Sequence, residues 1–292
     1  MVELILTNKD GKTLDLLNNR TKFILSGVEA LHGIDTNIAT EENPFIDGVE
    51  IESVKALPRE IQLTFTLIPD IKQSIDFFTN VVKSKQYVTL TETENGKSIE
   101  IKGVATIPPY SRMMGLCKIV LTIYCGAPYW SDVQSVVNAI SRIIDLLYFP
   151  TPNGQYFTQN GRPFGAIDME MEQTFDNNGD ASVGMRILIN AIGGNVVNPR
   201  ISCSSGSQNG WWMQMNMTLP ENAELEICTI KGNKYIKMNG SDTYNGTPLL
   251  QYLTFNGLDW LQLETGENTF NATATSGEDH VYFTMIYKRK YE

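Results

Sequence analysis

The residues best suited to chemistry are three carboxylates at alternate positions, Asp168-Met-Glu170-Met-Glu172. On a strand all three share one face, with neighbours at i and i+2 about 7 Å apart along the backbone. Side chains at that spacing can approach the ~5–5.5 Å that a retaining glycosidase needs between its nucleophile and its acid/base. The competing reading turns Ile167, Met169 and Met171 to a core and leaves the acids in water, and it is the favoured one.

The carboxylate pattern is similar to the Glu-x-Asp-x-Glu strand of jelly-roll β-glucanases, but it departs at both of the first two carboxylates. Nucleophile activation by imidazole has only His32 and His280 to draw on. His32 lies in Leu-His-Gly, which reads as a loop, and His280 in Glu-Asp-His before the last strand; both read as exposed polar residues. No P-loop, GxGxxG, HExxH or GxSxG stands in a suitable context. No cofactor is implied. Of the four cysteines, Cys117, Cys125, Cys203 and Cys228, none forms a CxxC pair, so no structural zinc site is expected. Cys117 and Cys125 are eight residues apart in one apparent strand. They therefore lie about 26 Å apart and cannot bridge each other, and buried reduced thiols are expected. Trp211, Trp212 and Trp260 are candidates for stacking on sugar rings, with burial in a core the favoured alternative.

The elements that must position these residues read mostly with period two. Ile61, Leu63, Phe65 and Leu67 share one face of a half-buried strand, and Cys117, Ile119, Leu121, Ile123 and Cys125 repeat the pattern. Between them, Asn95-Gly96 separates two alternating segments, the strongest short hairpin signal. Residues 70–83 read as a helix capped by Asp70, with Ile71, Ile75, Phe78 and Val82 on one face. Residues 131–148 read as a second helix. Its stripe is Val133, Val136, Val137, Ile140, Ile143, Ile144 and Leu147, and Pro150, Pro152 and Asn153-Gly154 stop it. Later strands are expected at Val183–Ala191, Trp211–Leu219, Glu224–Ile230, Tyr235–Met238, Leu258–Leu263 and Val281–Tyr287. Their spacing suggests a sandwich or jelly roll. Met213, Met215 and Met217 form a stripe that reads as core filling. Residues 31–48 carry no pattern of their own and read as an extended arm or loop.

Composition sets the bounds. A chain of 292 residues with 42% hydrophobic and 19% charged residues is globular and long enough for one large or two ordinary domains. The formal net charge is −10, from 33 acidic and 23 basic residues, and the one basic run is Lys288-Arg289-Lys290. Tight nucleic-acid binding is not expected on that balance. No apolar run is long enough for a membrane helix, and the N-terminal segment has no leader pattern, so synthesis in the cytoplasm without a signal peptide is expected.

Several segments together resemble one family. Leu121-Thr-Ile-Tyr-Cys-Gly-Ala-Pro-Tyr-Trp130 looks like the closing strand and Pro-aromatic corner of the distal tail proteins of long-tailed bacteriophages. Asn178-Gly-Asp180, Arg186-Ile-Leu-Ile189, Asn198-Pro-Arg-Ile201, Leu225-Glu-Ile-Cys-Thr229, Lys237-Met-Asn-Gly240 and Leu263-Glu-Thr-Gly-Glu-Asn268 follow in the order of that family's C-terminal domain. Cys228 departs from the acidic residue common there, which bears on that hairpin alone. The resemblance implies a mainly β protein: an N-terminal β-rich α+β ring-forming domain (1–130), a linker helix (131–150) and a C-terminal galectin-like or jelly-roll sandwich (151–292). It also implies a non-enzymatic virion role at the tail tip. Six copies would form a ring joining the tail tube to tip, fibre or baseplate proteins, with DNA passing through the lumen. Direct sugar binding by the sandwich is the first alternative and a glycosidase using Asp168, Glu170 and Glu172 the second.

Overall fold

The computed structural model describes residues 2–42, 45, 47–68, 70–107, 112–113, 116–145, 165–169 and 172–292. The protein is mainly β. It divides into two compact units, Met1–Val133 with Lys290–Glu292, and Gln134–Arg289.

In the first unit the strands are β1 (Glu3–Asn8), β2 (Thr13–Asp15), β3 (Phe23–Glu29), β4 (Thr36–Glu41), β5 (Glu50–Ala56) and β6 (Arg59–Leu67). Helix α1 (Ile71–Val81) follows, then β7 (Gln86–Glu94), β8 (Lys97–Thr106), β9 (Arg112–Met113), β10 (Leu116–Cys125) and β11 (Trp130–Asp132). The main sheet runs β2-β1-β7-β8-β10-β6-β3 through antiparallel pairs. The alternation of β6 meets that of β10 in register: Ile61 faces Ile123, Leu63 faces Leu121, and Phe65 faces Ile119. All six are buried. Asn95 and Gly96 both take positive φ, 51° and 81°, which closes the β7–β8 hairpin with the twist that flanking strands prefer. At Gly103 an added Cβ would stand 2.6 Å from the Tyr124 carbonyl, so β8 can approach β10 only with glycine there.

The expected first helix forms. Asp70 caps it, its side chain accepting the Gln73 N–H at 3.4 Å. Phe78 is wedged between Phe65 (5.1 Å between ring centres) and Phe23 (6.1 Å). Burying such a ring contributes about 2–3 kcal/mol, which fastens α1 to the sheet.

The second unit has two five-stranded antiparallel sheets. Its strands are β12 (Val136–Ala139), β13 (Ser141–Asp145), β14 (Gly165–Met169), β15 (Glu172–Asn177), β16 (Arg186–Ala191), β17 (Val196–Val197), β18 (Arg200–Cys203) and β19 (Trp212–Met215). They continue as β20 (Thr218–Leu219), β21 (Glu224–Cys228), β22 (Tyr235–Met238), β23 (Thr243–Tyr244), β24 (Thr247–Pro248), β25 (Leu253–Phe255), β26 (Gly266–Thr273) and β27 (Val281–Tyr287). One sheet is β12-β27-β16-β21-β22 and the other β15-β26-β18-β19-β25. Ile187, Ile189, Leu225, Phe283 and Met285 of the first share one core with Ile201, Met213, Met215 and Phe270 of the second. The methionine stripe is therefore core, as expected.

Two expectations fail. Residues 131–145 form strands and no helix: β12 pairs with β27, Val136 opposite Tyr287 and Val137 opposite Ile286, and the Ile140 N–H reaches the Phe283 carbonyl. Six of the seven stripe residues are β-branched Val or Ile, which lose χ1 freedom in a helix and fit a pleated surface. The proposed stop at Pro150, Pro152 and Asn153-Gly154 lies outside the described residues, as does Leu147. Leu258–Leu263 is also not a strand; Leu263 alone makes an isolated bridge, to Val183.

The chain end held a feature that the sequence reading missed. Lys290–Tyr291 forms a last short strand paired with β11, Trp130 opposite Tyr291 and Ser131 opposite Lys290. The second unit is thus inserted between two adjacent strands of the first. Joining Val133 to Lys290 through an Asn-Gly turn, with residues 134–289 removed, leaves every pair of the first sheet intact. The shortened protein is expected to show a β-type circular dichroism spectrum and one cooperative thermal transition; an unfolded product would refute the independence of this unit.

Candidate assembly surface

The arm read in residues 31–48 is a β-hairpin, and it extends further than the sequence suggested. β4 pairs only with β5, in a separate two-stranded sheet. Ile38 stands opposite Val54 and Thr40 opposite Ile51, with a bulge between these pairs. Ile38, Ile51 and Val54 therefore share one face, while Asn37, Ser53, Lys55 and Glu41 occupy the other. The apolar face is open to solvent: Ile38 is 51% exposed, Ile51 60% and Val54 60%. Phe45, in the connection, is 92% exposed. A two-stranded ribbon is marginally stable in water by itself, which makes this exposed apolar face the candidate contact surface.

What fixes the hairpin is its root. The Asp35 carbonyl accepts the Leu57 N–H at 2.8 Å, closing the base. Arg59, the first residue of β6, is 5% exposed and donates to the carbonyls of Leu31 (2.7 Å) and Gly33 (2.5 Å). The Trp130 indole N–H donates to the same Leu31 carbonyl at 2.9 Å. His32 stacks on Trp130 with ring centres 5.9 Å apart, and its Nε2 lies 3.2 Å from Glu92 Oε2. Tyr291 donates to Asp132 at 3.0 Å and carries Lys97 over its ring at 3.6 Å, so the C-terminal strand is fastened beside Trp130. An open cleft of about 700 Å³ beside the root is lined by His32, Asp35, Leu57, Arg59, Glu60 and Tyr124 among others. Burial draws the Arg59 pKa down while charge on Cys125, Glu292 and Asp35 pulls it back. Burial pushes the Cys125 thiol up to about 11, against a smaller opposing pull from Arg59. That thiol is protonated and unreactive at neutral pH.

The remaining candidates are dispersed. Asp168 lies on β14, which pairs with β13, whereas Glu172 opens β15 in a five-stranded sheet. The chain changes sheets between them, so the one-strand arrangement assumed for a glycosidase is not what forms; Glu170 lies outside the described residues. Trp260 is buried, Trp211 is half-buried against the core, and Trp212 faces outward. His280 sits beside Asp279 at 3.7 Å. All four cysteines are free and buried. Among the described residues, no group of three His, Cys, Asp or Glu is placed to hold a metal ion, and no helix is long and apolar enough to cross a membrane.

No protein-family model matches the sequence, and no curated protein matches it either. Solved structures do. The chain aligns with the crystal structure of the Dit protein of phage SPP1, described as a paradigm of the hub adsorption apparatus in phages infecting Gram-positive bacteria. The TM-score is 0.64 at 15% identity, covering 99% of each chain. The phage P2 baseplate in its activated conformation gives TM-scores of 0.48 (with Ca) and 0.47 (with Sr), both at 11% identity. The protein thus shares its fold with SPP1 Dit.

Two outcomes are expected at the root. Arg59→Met leaves the Leu31 and Gly33 carbonyls without a charged donor, at a cost of about 2–4 kcal/mol in urea unfolding, whereas Trp130→Phe, which removes one N–H, costs about 1 kcal/mol. Equal losses from the two variants would contradict the clamp. The Cys125 pKa is higher in the folded protein than the ordinary thiol value of 9.0, so its contribution is complete below pH 9 and is lost as pH rises toward about 11. Cys125→Val should flatten the decline of stability over that window; an unchanged slope argues against it.

Proposed function

We propose that the chain is a structural subunit of a phage tail tip, a distal tail protein that forms a ring of six and joins the tail tube to the adsorption apparatus. The observation that carries this reading is the correspondence with SPP1 Dit, which covers 99% of each chain. The solvent-facing hairpin supports it. Its apolar face, Ile38, Ile51 and Val54, would be covered by the neighbouring subunit, and a ring supplies such a neighbour to every copy. β3 and β2 end the main sheet, and unpaired strand edges are surfaces that recruit further chains. A net charge of −10 suits a lumen that passes DNA without holding it. The proposed role is architectural, and Asp168 and Glu172 lie in different sheets.

Multi-angle light scattering over a concentration series, with negative-stain images, tests the ring. A six-fold species is expected, in isolation or with tail-tube protein present. Ile38→Asp combined with Val54→Asp should shift the population to monomer while leaving the thermal transition in place. A wild-type chain that stays monomeric under all these conditions, or a double variant that assembles normally, would overturn the assignment of the hairpin.

A further inference from the structure

We infer that the acidic β4–β5 hairpin of one copy docks on a basic pole around α1 of the next copy, its carboxylates meeting lysines and its apolar face meeting Phe77. This names the surface that receives the hairpin and rests on the reading of the chain as a self-assembling subunit.

The charges of the first unit are sorted. Residues 36–56, the hairpin, hold Glu41, Glu42, Asp47, Glu50 and Glu52 against Lys55 alone, a net charge of −4. All five acidic residues are exposed. Segments 9–22 and 70–85 hold seven Lys or Arg and four Asp, a net charge of +3 in a chain whose total is −10. These two segments meet at α1. Lys12 Nζ donates to Asn80 Oδ1 at 2.8 Å, and Lys22 Nζ donates to Gln73 Oε1 at 3.1 Å. Lys72 lies on α1, Lys83 and Lys85 follow it, and all three are exposed. Both bonded lysines take neutral amides. Among the described residues, none of these cations and none of the hairpin carboxylates is in an ion pair.

The hairpin itself points to a cationic partner. Glu41 stands directly opposite Glu50 in its register. Like charges so placed destabilise a ribbon, and a cation brought against them removes that cost. The basic pole has an apolar counterpart as well. Phe77 of α1 is 38% exposed, although its ring lies 6.5 Å from that of Phe23. An apolar centre edged by lysines thus answers an apolar face edged by carboxylates.

Topology makes the contact one between copies. The hairpin joins β6 at its Arg59 end, and α1 follows its Leu67 end. The nine residues of β6 hold the two about 26 Å apart. One copy therefore presents an acidic and a basic surface at opposite ends of one strand. Pairing them between copies is a head-to-tail contact, the kind that closes into a ring when its rotation allows. A polyanion would satisfy the lysines and leave the hairpin as it is; a second copy satisfies both.

The test is charge reversal with rescue by mixing. Glu50→Lys with Glu52→Lys reverses the hairpin, and Lys22→Glu with Lys72→Glu reverses the pole. Glu50→Lys also sets opposite charges across the ribbon, so a loss of assembly does not come from a weakened hairpin. By light scattering, each double variant alone should associate at least about tenfold more weakly than wild type. Mixed in equal amounts, the two should recover to within about twofold of wild type, because each reversed hairpin then meets a reversed pole. Thermal melting checks that both are folded. Wild type supplies a measurement free of substitutions: raising salt from about 0.05 M to about 0.5 M should weaken its association. Association that ignores salt, survives either reversal, or fails to recover on mixing overturns this contact and leaves the ring standing. Recovery on mixing in an assembly that is not six-fold supports the contact and overturns the ring. A wild-type chain that stays monomeric throughout overturns both.

Discussion

Two backbone carbonyls, those of Leu31 and Gly33, must be satisfied where the chain leaves the main sheet, and the buried Arg59 guanidinium satisfies both. An unpaired carbonyl away from water carries a desolvation penalty of about 1–3 kcal/mol. The guanidinium also carries a charge that is expensive to bury unless its donors are used. Each side therefore requires the other. The result is a fixed exit from the sheet at the point where a projecting hairpin needs one.

Around this contact the first unit gathers residues far apart in sequence. Trp130 shares the Leu31 carbonyl, His32 packs on Trp130, and Glu92 meets His32 from β7. The C-terminal strand then pairs with β11 and places Tyr291 on Asp132. Trp130, Glu92, Asp132 and Tyr291 are each positioned by a strand of the main sheet, and they hold His32 and the Leu31 carbonyl in the bend between β3 and β4. The hairpin itself lacks that support. Ile38, Ile51 and Val54 on its apolar face are each at least half exposed.

The sequence was informative where one face of an element meets a continuous core. β6, β10, β22, β27 and α1 followed their hydrophobic period, and Asn95-Gly96 marked its turn. It misled where tertiary pairing overrode a helical spacing. The stripe from Val133 to Leu147 has helix periodicity, yet β27 was available as a partner and β-branched residues favour that pairing. The hairpin was hidden for another reason. Ile51 and Val54 are three apart, which breaks a period of two, and only the bulge opposite Ala39–Thr40 returns both to the same face as Ile38. Arg59 gave no signal at all, because its role depends on carbonyls more than twenty residues away.

The two units treat their exposed surfaces differently, and this follows from their topology. The first must leave edges and an apolar hairpin face open if copies are to meet. The second is inserted between β11 and the last strand, so it can vary without disturbing any pairing of the first. Its two sheets differ in what they carry outward: one has the Arg186–Glu226–Tyr235 network, the other an Arg200 guanidinium over the Trp212 ring. The first unit is held by contacts between residues far apart in sequence, and the second is inserted as one segment within it. Changes that retune the outer face then need not alter the contacts that hold the hairpin root.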